Sequence, residues 1–187
     1  MALLFNRLAH NFVKNGYSPT DSVTLSRIQN LLAPSVKPMR LLDPCCGEGT
    51  ALADLRQGLL DRTDAQAPAI EALGIEFDPE RAWHAKTILD RVIHADVHDV
   101  VVKARSIGLL FLNPPYGFGV ADTANVANPD TDKAERLERT FLKKAAPLLA
   151  HGGVLVYILP YYALDAEIRS YLARNFSDVR FFMGPEQ

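Results

Sequence analysis

The feature that most limits what this chain can fold into is a regular alternation of short apolar runs with stretches of helical period. Met39 to Pro44 is an apolar run that ends in a glycine-containing loop, and Thr50 to Leu60 follows at helical spacing. Ala72 to Phe77 repeats the strand, and Asp78-Pro79-Glu80 opens the next helix, with Asp78 able to cap it and Pro79 suited to its first position. Arg91 to Ala95 ends at Asp96, Gly108 to Leu112 ends at Asn113, and Val154 to Leu159 ends at Pro160. A long helix from about Lys133 to Ala150, stopped by His151-Gly152-Gly153, precedes that fifth strand. A helix from about Leu164 to Asn175 and a last strand, Val179 to Met183, follow it. Strands joined through helices need right-handed crossovers. The pattern therefore predicts a doubly wound α/β domain whose mostly parallel, Rossmann-like sheet carries helices on both faces.

Composition matters mainly for what it excludes. With 187 residues, 48% hydrophobic and 22% charged, the chain has the material for one folded domain over residues 1–187. Its formal net charge of −2 provides no global basic field for nucleic acid, so any such contact must be local. At the N-terminus, Leu4, Phe5, Leu8, Phe12 and Val13 alternate with polar residues at helical spacing, so residues 1–37 are read as a helical segment. No apolar run there is long enough for a membrane span or reads as a signal peptide. Cys45 and Cys46 are adjacent, which rules out an ordinary disulfide between them and any four-ligand zinc pattern, and fits a reducing cytoplasm. Trp83, at helical spacing with Leu89, is expected in the core. His94, Asp96, His98 and Asp99 straddle a strand end in a spacing that matches no standard metal set, so no metal is expected. The polar stretch Gly117 to Asp132 is long enough for a lid.

Asn113-Pro114-Pro115-Tyr116 sits where the fourth strand ends, the usual place for chemistry in an open α/β sheet. Two consecutive prolines fix φ and remove two N–H donors, which leaves the carbonyls of Asn113 and Pro114 as fixed acceptors. The Asn113 amide oxygen adds a third acceptor and Tyr116 a flat face. That combination suits a planar amino group.

Asp43-Pro44-Cys45-Cys46-Gly47-Glu48-Gly49-Thr50 follows the first strand and opens the first helix. Gly47 and Gly49 permit close backbone approach to a ligand. The flanking acids Asp43 and Glu48 would repel a pyrophosphate, and Leu52 stands where a third glycine would be. A ligand bearing sulfonium and ammonium cations fits instead, and S-adenosylmethionine has both. Glu76, ending the second strand, is placed to accept from ribose hydroxyls, Phe77 to cover an adenine, Asp96 to accept from its amino group, and Val97 to add apolar contact.

Together these segments resemble class I S-adenosylmethionine-dependent methyltransferases with an Asn-Pro-Pro-Tyr motif, specifically the gamma-ordered N6-adenine DNA methyltransferases. The resemblance covers nearly the whole chain. It identifies Gly16-Tyr17-Ser18-Pro19-Thr20 with a cofactor-contacting segment, in which Tyr17, Ser18 and Pro19 would touch the methionine moiety. It implies transfer of a methyl group to an exocyclic amino nitrogen, most simply N6 of adenine in DNA, with the base extruded against Tyr116 and Phe118. Such sheets usually have seven strands, the last antiparallel, whereas six are counted here, so against the resemblance either the C-terminal edge strand is missing through truncation after residue 187 or the sheet edge is unusual. RNA bases or a protein glutamine amide are alternative acceptors, and a methyltransferase-like binding module without turnover is a third reading. On the predicted Lys133–Ala150 helix, Lys133, Arg136, Arg139, Lys143 and Lys144 are interleaved with Glu135 and Glu138, which reads as a solvated face.

Overall fold

The computed structural model describes residues 1–7, 19–63, 68–116 and 137–184; of residues 5–7 it describes the backbone alone. Its strands are β1 (Ala2–Arg7), β2 (Met39–Asp43), β3 (Ile70–Glu76), β4 (Arg91–His94), β5 (Ile107–Leu112), β6 (Leu149–Pro160) and β7 (Val179–Met183). Its α-helices are α1 (Ser22–Leu31), α2 (Thr50–Leu60), α3 (Pro79–Ile88), α4 (Leu137–Ala145) and α5 (Ala166–Asn175). Among the described residues the strands form one sheet in the order β4-β3-β2-β5-β6-β1-β7, with every pairing parallel. The doubly wound α/β expectation holds.

Alternation along the strands divides the core into two layers. Leu41, Leu109, Phe111 and Val156 face one side, against α1, α2 and α3. Leu42, Leu110, Leu112 and Tyr157 face the other, against α4 and α5. Both faces are covered, which is why the central strands read as continuous apolar runs. Three helices start on aspartates. Asp21 accepts from the Thr24 amide at 2.8 Å, Asp78 from the Glu80 and Arg81 amides at 3.0 Å each, and Asp165 from the Ile168 amide at 2.9 Å.

Five expectations are corrected. The N-terminal segment begins as a strand: Ala2–Arg7 pairs with β6 on one side and β7 on the other, and Ala2, Leu3 and Leu4 are all buried. Helical spacing and a run buried on both faces look alike over so few residues, and tertiary pairing decides between them. This strand makes the count seven, so the sheet does not lack the strand that a count of six implied. The fourth helix stops at Ala145, because Pro147 cannot continue it and sits instead in a 3-10 turn over Ala146–Leu148. Trp83 lies outside the core, 74% exposed on α3. Finally, α4 is not simply a solvated face: Glu138 is fully buried, and Arg139 pairs with Asp165 at 2.5 Å and with Glu167. Lys133, Arg136, Glu135 and the Gly117 to Asp132 stretch lie outside the described residues.

Candidate active site

A cavity of about 680 Å³ opens at the carboxyl ends of β2, β3 and β5. Asp43, Pro44, Cys45, Glu76, Phe77, Asp96, Val97, Asn113, Pro115, Tyr116 and Pro19 all line it, so the structure gathers most of the expected site residues around one space. Tyr17, Ser18 and Phe118 lie outside the described residues.

The loop after β2 is tied down at two points. The Cys46 amide donates to the Ile75 carbonyl at 3.0 Å and the Gly47 amide to Glu76 Oε2 at 2.8 Å, which fastens the loop to β3. Gly47 and Gly49 adopt φ of 56° and 83°, a region open to glycine and strained for other residues. Their part is to shape the loop, and neither lines the cavity. Gly74, on β3, packs under the same loop: a Cβ there would stand 2.6 Å from Cys46 Sγ. Gly49 caps α2 with no side-chain bond, and Thr50 and Ala51 of that first turn face the cavity.

The acids differ in how they are held. Asp43 is 3% exposed, its Oδ1 accepting from the Cys45 amide at 2.9 Å. Burial pushes its carboxyl up to about 7, opposed by that amide and assisted by the nearby Glu76 charge. The Cys45 and Cys46 thiols are raised by the same burial, so they remain neutral packing groups. Glu76 Oε1 accepts from the Asp78 amide at 2.9 Å and from Arg81 at 3.1 and 2.8 Å. Asp96 accepts from the His98 amide at 2.8 Å, holding the Val97–Asp99 turn at the cavity wall. Phe77 is 72% exposed, a flat face turned away from the core.

At the end of β5, Tyr116 Oη donates to Asn113 Oδ1 at 2.6 Å, and Asn113 Nδ2 donates to Thr20 Oγ1 at 3.0 Å. Pro114 is buried and does not line the cavity. Thr20, from the segment expected beside the cofactor, also lines it, and sequence reasoning missed Arg81, His98, Leu137 and Phe141, which line it too. Arg81 had a signal, one helical turn after the cap at Asp78. Leu137 and Phe141 come from a helix far along the chain, and His98 meets Phe141 edge-on at 5.9 Å, a contact no local pattern encodes.

The donor set suits S-adenosylmethionine. Buried Asp43 complements a cation, Glu76 Oε2 has one amide partner and lone-pair capacity for a hydroxyl, and Phe77 and Phe141 provide aromatic faces.

Comparison with known proteins agrees with this fold. The profile of the Uncharacterised methyltransferase family (DUF6094) matches residues 2–184. A tRNA (guanine(10)-N2)-dimethyltransferase of Methanothermobacter thermautotrophicus is 33% identical over 128 residues, covering 68% of this chain and 34% of that protein. A type II methyltransferase of Thermus thermophilus is 26% identical over 174 residues, covering 82% of this chain and 37% of that one. The chain thus spans about a third of the length of these curated relatives. A class I S-adenosylmethionine-dependent methyltransferase structure from Listeria monocytogenes superposes with TM-score 0.70 at 15% identity, over 88% of this chain and 54% of that one. A modification subunit assigned to a type I restriction enzyme of Vibrio vulnificus gives TM-score 0.54 at 17% identity, over 80% and 36%. At such identities the two structures speak for the fold.

Proposed function

The chain belongs to the Uncharacterised methyltransferase family (DUF6094), and from that premise we propose that it moves a methyl group from S-adenosylmethionine to an exocyclic amino nitrogen, N6 of adenine in DNA. The observation that carries the reading is Asn113, which lines the cavity at the end of β5 with Tyr116 bonded to its amide oxygen.

An aromatic amine is a poor nucleophile because its lone pair is delocalised into the ring. When bound, the cofactor supplies a methyl group activated by a neighbouring sulfonium. Asn113 Oδ1 accepts a hydrogen bond from one amine N–H, drawing the nitrogen lone pair out of the ring and stabilising positive charge as it develops. The donor sulfur would leave as a neutral thioether, and the methylated, cationic nitrogen then loses its proton to water. Tyr116 Oη donates to Asn113 Oδ1, and rotation of the hydroxyl away from it would admit the substrate. The Tyr116 ring then stacks on a base taken out of its helix. Asp43 and Glu76 hold the cofactor's charged and hydroxyl groups, and Asp96 and Phe77 its base.

The DNA assignment rests on the resemblance of Tyr17-Ser18-Pro19 and Asn113 to Tyr116 to the gamma-ordered enzymes, and on similarity to the type II methyltransferase of Thermus thermophilus. A second reading, N2 of guanine in RNA, is favoured by the 33% identity to the tRNA dimethyltransferase. One experiment separates them: the protein is incubated with methyl-labelled S-adenosylmethionine and with DNA, RNA and protein acceptors, and the labelled pool is digested. Label in N6-methyldeoxyadenosine supports the proposal. Label confined to methylguanosine would transfer it to the RNA reading, and label in no pool, with cofactor bound, would leave a binding module.

A further inference from the structure

The two ends of an asparagine amide are nearly isosteric, and its terminal torsion is soft, so the groups around it decide which atom faces a substrate. Here that choice matters. An amino group brings two N–H donors and matches the oxygen end, whereas the nitrogen end would set donor against donor. Tyr116 cannot hold the amide through turnover, because its hydroxyl sits on the oxygen the substrate must use. Thr20 can: it accepts from Nδ2 at 3.0 Å, away from that oxygen.

Thr20 is also rigidly placed. Its neighbour Asp21 caps α1 through Thr24, accepting from the amide at 2.8 Å and from the hydroxyl at 2.8 Å. Leu25 and Ile28 anchor that helix in the core. Asn113 follows Phe111 and Leu112, both buried, so the Thr20–Asn113 bond joins two fixed elements across 93 residues of sequence. Pro19 and Thr20 both line the cavity.

The geometry points to Thr20 as a positioning residue for methyl transfer: it holds the amide nitrogen of Asn113, leaves the oxygen to the acceptor amine, and couples the segment beside the cofactor cavity to the reacting centre. This rests on the function proposed above.

Two variants test it. Thr20→Val keeps the shape and loses the hydroxyl, and Thr20→Ser keeps the hydroxyl. With Thr20→Val, kcat is expected to fall ~10- to 100-fold, as misplacement of a catalytic group does, while calorimetric affinity for S-adenosylhomocysteine holds. Thr20→Ser restores most of the rate. A wild-type rate in Thr20→Val, equal loss of rate and cofactor affinity, or no recovery in Thr20→Ser overturns the assignment. If the unmodified protein methylates no acceptor, the functional reading fails, and Thr20 is judged by NMR of the Asn113 side-chain amide. Slow exchange of its protons in wild type and Thr20→Ser, with fast exchange in Thr20→Val, then upholds the contact; identical exchange in all three overturns it.

Discussion

Asp43 is the residue at which the site's electrostatics can be measured. Its carboxyl, raised to about 7 by burial, is protonated over a window in which the unfolded chain's is already ionised, so the folded state binds the extra proton. Stability from this group is therefore present at low pH and declines as pH rises from about 4, the ordinary carboxyl value, through 7. A cationic ligand reverses the preference by favouring the ionised form. S-adenosylmethionine should bind more tightly as pH rises toward 7 and release protons as it does so. Calorimetry in buffers of different protonation enthalpy reads that release directly, and Asp43→Asn should abolish it; a pH-independent affinity would remove Asp43 from cation recognition. Asn113→Ala should lower kcat on the order of 100- to 1,000-fold, the cost of losing one preorganised polar contact to developing charge, with cofactor affinity near wild type. Equal loss of both would reassign Asn113 to cofactor binding. Asn113, Asp43, Glu76 and Asp96 were legible because each ends an apolar run at the carboxyl edge of the sheet, where ligands of open α/β sheets bind. Phe141 and the bond of Thr20 to Asn113 were not, because they depend on how distant elements dock.

At the scale of elements, the loop between β2 and α2 depends on the glycine beneath it. Gly74→Ala would put a Cβ 2.6 Å from Cys46 Sγ and 2.9 Å from Leu89 Cδ1. The loop must shift, at a cost of about 1–3 kcal/mol for overpacking, and cofactor affinity should fall with it. Adding Cys46→Ala removes the nearer clash and should restore part of both losses. If Gly74→Ala binds cofactor as well as wild type, the loop is more yielding than its two ties to β3 imply. Strand and helix identities in the middle of the chain were readable because period, cap and proline signals coincide at Asp78-Pro79. The end of α4 was misread because Gly152-Gly153 is a more conspicuous stop than Pro147, which lies nearer. In fact Gly152, with φ of 75°, belongs to an irregular stretch within β6, where pairing with β5 jumps from Ile107↔Leu149 to Leu109↔Val154.

For the whole molecule, the decisive piece is β1. It lies between β6 and β7, so it carries the pairing of the last strand onto the rest of the sheet. Its local sequence could not reveal this, because its partners lie more than 150 residues away and its few residues fit either period. Leu3→Ala, at a site 1% exposed, should cost about 2–5 kcal/mol in chemical denaturation, the range for a large-to-small change in a core. A loss below that range would mean that β1 contributes less to the core than its burial indicates. The central claim concerns the other end of the sheet: that the cavity holds the methyl donor against Asn113. Its most direct test is a crystal structure with sinefungin, whose amine stands where the transferable methyl would. The account predicts adenine beside Phe77 and Asp96, ribose on Glu76, and the amine aimed at Asn113 Oδ1. A ligand lying elsewhere, or an amine turned away from Asn113, would contradict it.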